Sequence, residues 1–130
     1  MKGNIMQDLL TPQQYDLLIQ NGGDKSYDKD YPPVAKLFLT NSNFVWLISE
    51  LDPEYPEIAF GLCDLGMGWP ELGYVNIDEI LACQNPLVQL ENDLSFEGKY
   101  PLTVYARAAR RADKIVTDEL SLQSVLTLKP

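Results

Sequence analysis

The chain has 130 residues, of which 45% are hydrophobic and 22% charged, a balance that suits one packed globular domain and excludes a fibrous or disordered chain. Its 19 acids against 10 bases give a net charge of −9, which sets the molecule as a whole against binding nucleic acid. No apolar run approaches the length of a membrane span, and residues 1–10 lack the apolar stretch of a secretion signal, so a soluble cytoplasmic protein is expected.

The first element is a helix from Pro12 to about Gln20. Thr11 offers a capping hydroxyl, Pro12 suits a first turn, and Gln14 can close a capping box. Asn21, Gly22 and Gly23 read as its left-handed terminator. A polar loop over 24–33 ends in Pro32 and Pro33, which force the chain to enter the next element extended. Four apolar runs come next, at 34–40, 44–51, 58–65 and 72–77. They are separated by short linkers rich in Asn, Pro or Gly, the pattern of an antiparallel meander rather than of helical crossovers. Asn76 or Asp78 caps a brief helix carrying Ile77, Ile80 and Leu81, stopped by Asn85 and Pro86, and a fifth strand is predicted over 87–96.

Pro101 opens a helix to about Ile115, with Leu102, Tyr105, Ala109 and Ala112 as its apolar stripe. Arg107, Arg110, Arg111 and Lys114 stand at i, i+3, i+4 and i+7 and make a basic stripe on another face. Residues 116–130 stay open between strand and helix: Leu120 and Leu122 alternate, whereas Thr117 before Asp118 and Glu119 resembles a helix cap. The expected fold is therefore α+β, an antiparallel sheet of four to five strands with N-terminal, middle and C-terminal helices packed on it. Residues 1–130 form a single domain in this reading, with its core over about 9–115.

The segment from Leu51 to Val75, LDPEYPEIAFGLCDLGMGWPELGYV, resembles the signature of the bacterial family called domain of unknown function 2958. Leu9 to Pro12, Pro33-Val34 with Leu37-Phe38, Asp93 to Phe96, Pro101-Leu102, Tyr105-Ala106 and Ala109-Arg110 agree with it as well; the tail after Lys114 does not align. The resemblance implies a small protein often carried by plasmids and other mobile elements, with no assigned activity. It transfers no catalytic residue.

Three constellations could carry chemistry. The first is the glycine-rich run Gly61, Gly66, Gly68 and Gly73 around Trp69 and Pro70, which lacks the closing Gly-Lys-Ser/Thr of a phosphate loop. As a strand connection it needs positive φ at Gly66 or Gly68, with Trp69 folded back on the sheet. As a recognition loop it presents Trp69, with Met67 and Tyr74 beside it and Glu71 as a polar rim. The second is the carboxylate set Asp52, Glu54, Glu57, Asp64 and Glu71. Asp52, Glu57, Asp64 and Glu71 are the candidates for holding a divalent metal, and Asp64 and Glu71 are the catalytic candidates of a hydrolase or nuclease. Alternatively these acids are solvated, with Asp64 anchoring a turn. The third is the basic stripe, in which Arg107, Arg110 and Arg111 grip phosphate or an acidic partner, or else lie solvated or paired with the chain's own acids.

The chain has no His, and no Ser or Cys sits beside an evident base, so a nucleophilic triad has little support. Cys63 and Cys83 read as buried thiols, with a disulfide between them left open. No cofactor is expected. Between Lys36 and Lys99 there is no base at all, so the favoured function is a non-enzymatic interaction protein whose acidic surface meets a basic protein partner. The alternative is the metal-dependent hydrolase. Oligomeric state is not legible in the sequence.

Overall fold

The computed structural model describes residues 6–127. A short helix α1 (Met6–Leu9) precedes α2 (Pro12–Gly23), followed by strands β1 (Ala35–Leu39), β2 (Val45–Leu51), β3 (Ile58–Asp64) and β4 (Glu71–Asn76). Helix α3 (Ile77–Ala82), strand β5 (Leu90–Asn92) and helices α4 (Leu102–Ala112) and α5 (Glu119–Leu126) complete the order. The five strands form one antiparallel sheet in the order β4-β3-β2-β1-β5, so the α+β class expected from the sequence stands.

Helices cover both faces of this sheet, which explains why central β2 reads as an almost unbroken apolar run. Trp46, Ile48 and Leu51 pack with Leu18 of α2, Leu37 and Leu81 on one side. Leu47 and Leu62 pack with Leu102, Tyr105 and Ala109 of α4 and with Leu122 and Val125 of α5 on the other. The period of two along each strand thus splits one apolar sequence between two cores.

Thr11 and Gln14 make the expected capping box, Gln14 N–H to Thr11 Oγ1 at 3.0 Å and Thr11 N–H to Gln14 Oε1 at 3.1 Å. Several boundaries differ from the sequence reading. Asn21, Gly22 and Gly23 do not terminate α2 but belong to it. Gly22 is required for packing: a Cβ there would lie 1.8 Å from the carbonyl oxygen of Leu51. The fifth strand keeps only three residues of the run 87–96, because 85–88 closes a turn and Asp93 anchors another through Ser95 N–H. Helix α4 ends at Ala112, where Asp113 turns left-handed with φ 62°, so Lys114 lies beyond the helix. The tail resolves as a helix capped by Asp118, whose side chain accepts from Ser121 N–H at 2.9 Å.

Both cysteines are free thiols, but neither is fully buried: Cys63 is half-buried, and Cys83 is exposed because Leu81 takes the core position at the end of α3. No helix among the described residues is long and apolar enough to cross a membrane.

Candidate functional site

Strands β3 and β4 are joined by a hairpin loop in which Gly66 and Gly68 adopt φ of 76° and 81°, backbone that glycine takes without strain. The sharp reversal turns Met67 and Trp69 outward, and they are 74% and 78% exposed; Trp69 does not fold back on the sheet. Tyr74, in β4, is 77% exposed and meets Phe60 in a tilted ring contact at 5.1 Å. Three large apolar side chains therefore stand in solvent on one hairpin.

Asp64 sets where that hairpin sits. It is 4% exposed, and its carboxylate accepts from Gly66 N–H at 2.9 Å through Oδ1 and from Ile115 N–H at 3.0 Å through Oδ2. One buried side chain thus ties the loop to the segment leaving α4, and both of its oxygens are engaged in that anchoring. An open groove of about 550 Å³ lies between the two, lined by Gly68, Trp69, Pro70, Glu71, Leu72, Arg110 and Asp113. The aromatic loop and the basic helix, separate candidates in the sequence, meet here through Trp69, Glu71 and Arg110.

Arg107, Arg110, Arg111 and Lys114 are all exposed, and none takes part in an ion pair among the described residues. The chain's own acids therefore do not neutralise the stripe. Glu71 stands opposite Cys63 across the β3–β4 ladder, and burial followed by the nearby Glu71 charge pushes the Cys63 thiol up, away from the reactive thiolate.

The carboxylates do not gather. Asp52 lies past the end of β2, where its Oδ1 accepts from Glu54 N–H at 2.8 Å and Tyr55 N–H at 3.2 Å as a turn anchor. Glu57 precedes β3 and Asp64 ends it, so a strand of roughly 20 Å separates them. Glu71 and Asp64 lie near one end but on opposite faces, since Glu71 pairs with Cys63 and neighbouring strand residues alternate. Among the described residues no group of three or more His, Cys, Asp or Glu could hold a metal ion.

A family model described as "Protein of unknown function (DUF2958)" matches residues 9–116. The chain belongs to that family. The DUF2958 match covers the whole sheet, the hairpin and α4, but leaves out α5. No match is found among curated proteins or among solved structures.

The sequence reading missed two parts of this candidate site. Asp113 enters the groove wall because it closes α4; a helix extended to 115 hides it, although Asp is one of the few residues that tolerate the left-handed region. The other is the outer edge of β4, which depends on strand order and leaves no mark in composition.

Proposed function

We propose that this chain is a non-enzymatic interaction protein serving a bacterial mobile element, and that it docks a basic protein partner on the β3–β4 hairpin. The observation that carries this reading is the exposure of Met67, Trp69 and Tyr74 on one rigidly anchored hairpin beside the groove that Arg110 lines. An exposed aromatic held by a fixed scaffold loses little conformational freedom on binding, and Trp is the side chain most enriched at energetic hot spots. The net charge of −9, with no base between Lys36 and Lys99, favours encounter with a positive surface. Arg110, free of ion pairs in the groove wall, adds a local charge that fixes orientation.

The test is affinity capture from the native host at low and high salt, with the wild-type chain and Trp69→Ala run side by side. The expected outcome is a basic protein retained at low salt, weakened at high salt and lost by Trp69→Ala, while the melting temperature of the variant stays close to wild type because its ring is exposed. Recovery of the same proteins by Trp69→Ala, or a large loss of stability in it, would end the reading.

A further inference from the structure

β4 is an outer strand, and its neighbours fix which of its backbone groups are occupied. Asp52 N–H donates to the Ile58 carbonyl at 3.0 Å, and Ile77 N–H donates to the Glu57 carbonyl at 2.8 Å. Antiparallel alternation then turns the main chain of Glu71, Gly73 and Val75 toward β3 and leaves the N–H and C=O of Leu72 and Tyr74 pointing outward. Among the described residues nothing bonds to that side of the strand. Proteins usually blunt such an edge with Pro, Lys, a bulge or a very short strand. β4 has six residues, no Pro or Lys, and unbroken register with β3.

Gly73 is the second observation. Its φ is not positive, and a Cβ built on it meets nothing within 4 Å, so neither backbone nor packing of this chain calls for glycine there. Glycine in a strand weakens it and marks a place where another backbone or ligand approaches closely.

We propose that β4 accepts an extended, Lys- or Arg-bearing segment of the partner as a sixth strand of the sheet, a proposal that rests on the function given above. Its main chain pairs with Leu72 and Tyr74, the residue opposite Gly73 lies over the space the glycine leaves, and a base stands opposite Glu71. The charge along the strand and its flanks selects this occupant: residues 66–80 hold Glu71, Asp78 and Glu79 and no base, with Arg110 across the groove at the Gly68 to Leu72 end. A second copy of the chain would bring two bodies of net charge −9 edge to edge.

The experiment uses three probe peptides of about nine residues, the length of a long strand. One alternates Lys and Val, one carries Glu in place of Lys, and one is the Lys-Val peptide N-methylated at every amide. Titrated into isotope-labelled protein, the Lys-Val probe is expected to bind with a dissociation constant below about 1 mM and to slow amide exchange at Leu72 and Tyr74 at least about tenfold. The other two probes bind at least about tenfold more weakly. Tyr74→Pro removes both the ring and an outward N–H without touching a bond to β3, whereas Tyr74→Val removes the ring and keeps the N–H, so the first is expected to bind about tenfold more weakly than the second. Should Tyr74→Pro fail to fold, the N-methylated probe and the exchange rates decide alone.

No binding of the Lys-Val probe, equal binding of the N-methylated one, or unprotected Leu72 and Tyr74 amides in the bound state overturns strand addition. Self-association of the chain that Tyr74→Pro abolishes overturns the peptide occupant in favour of a second copy. Capture of the native partner that needs Trp69 but tolerates Tyr74→Pro overturns strand addition while leaving the interaction function standing; capture indifferent to both variants ends both.

Discussion

The two edges of the sheet are built differently. β5 has three residues, and its last one, Asn92, donates through Nδ2 to the Leu9 carbonyl at 3.1 Å and to Gln14 Oε1 at 2.7 Å, which binds that edge to the N-terminal helices. The approach to β5 is latched as well, by Gln89 N–H to Thr40 Oγ1 at 2.9 Å and Asn41 Nδ2 to the Leu87 carbonyl at 2.6 Å. β4 is twice as long, carries an exposed Tyr74, and has its outward main chain bare. The chain has the means to close a strand edge and applies them on one side, so the bare side is a feature of the design rather than a limit of a small domain.

The contrast breaks most readily at matched positions. Leu90 of β5 is 4% exposed and packs in the core with Leu9 and Leu37, so Leu90→Ala should cost about 2–5 kcal/mol in urea unfolding. Tyr74→Ala removes only a solvent-facing ring and its contact with Phe60, and should cost less than about 1 kcal/mol. Similar losses at the two positions would mean that β4 is closed by packing and not open.

The next largest effect sharpens what holds the open side in place. Asp64→Ala takes the acceptor from two part-buried main-chain N–H groups, those of Gly66 and Ile115, and should cost about 1–3 kcal/mol. It should also loosen the hairpin against α4, visible as faster amide exchange at both residues. A stability loss below about 0.5 kcal/mol would show that water takes over those bonds and that Asp64 does not fix the groove.

How much of this was legible in the sequence depended on the range of the interaction responsible. Local signals read correctly: the Thr11 and Gln14 capping box, the turn-separated runs of β1 to β4, and the start of α3, where of the two caps expected Asn76 is the one used, its Oδ1 accepting from Glu79 N–H at 3.1 Å. Errors arose where a distant partner decided. Gly22 looks like a helix stop until the Leu51 carbonyl is placed beside it, and the alternating run 87–96 looks like a long strand although β1 offers it only three partners. The site divided in the same way. Trp69 and Arg110 each stood out by type and spacing, but their meeting depends on Asp64 bonding to Ile115, 51 positions away, which periodicity does not encode.

Gly73→Ala is the smallest and most pointed test of the two-edge contrast. Within a strand, glycine has more conformational freedom to lose on folding than alanine, and it contributes no side-chain burial, a deficit of about 0.5–1 kcal/mol. At Gly61, its partner across the ladder, that deficit is unavoidable, because a Cβ would lie 2.0 Å from the Leu47 carbonyl oxygen. At Gly73 the space is empty and φ is not positive, so the fold itself gains from alanine. Gly73→Ala should therefore raise stability by about 0.5–1 kcal/mol in urea unfolding, an unusual sign for a change inside a β-sheet. If the glycine exists to admit a partner's side chain, the same variant should hold the Lys-Val probe less tightly even as it becomes more stable. A variant less stable than wild type would show that the fold needs this glycine, and the bare edge would lose its strongest sign of an external partner.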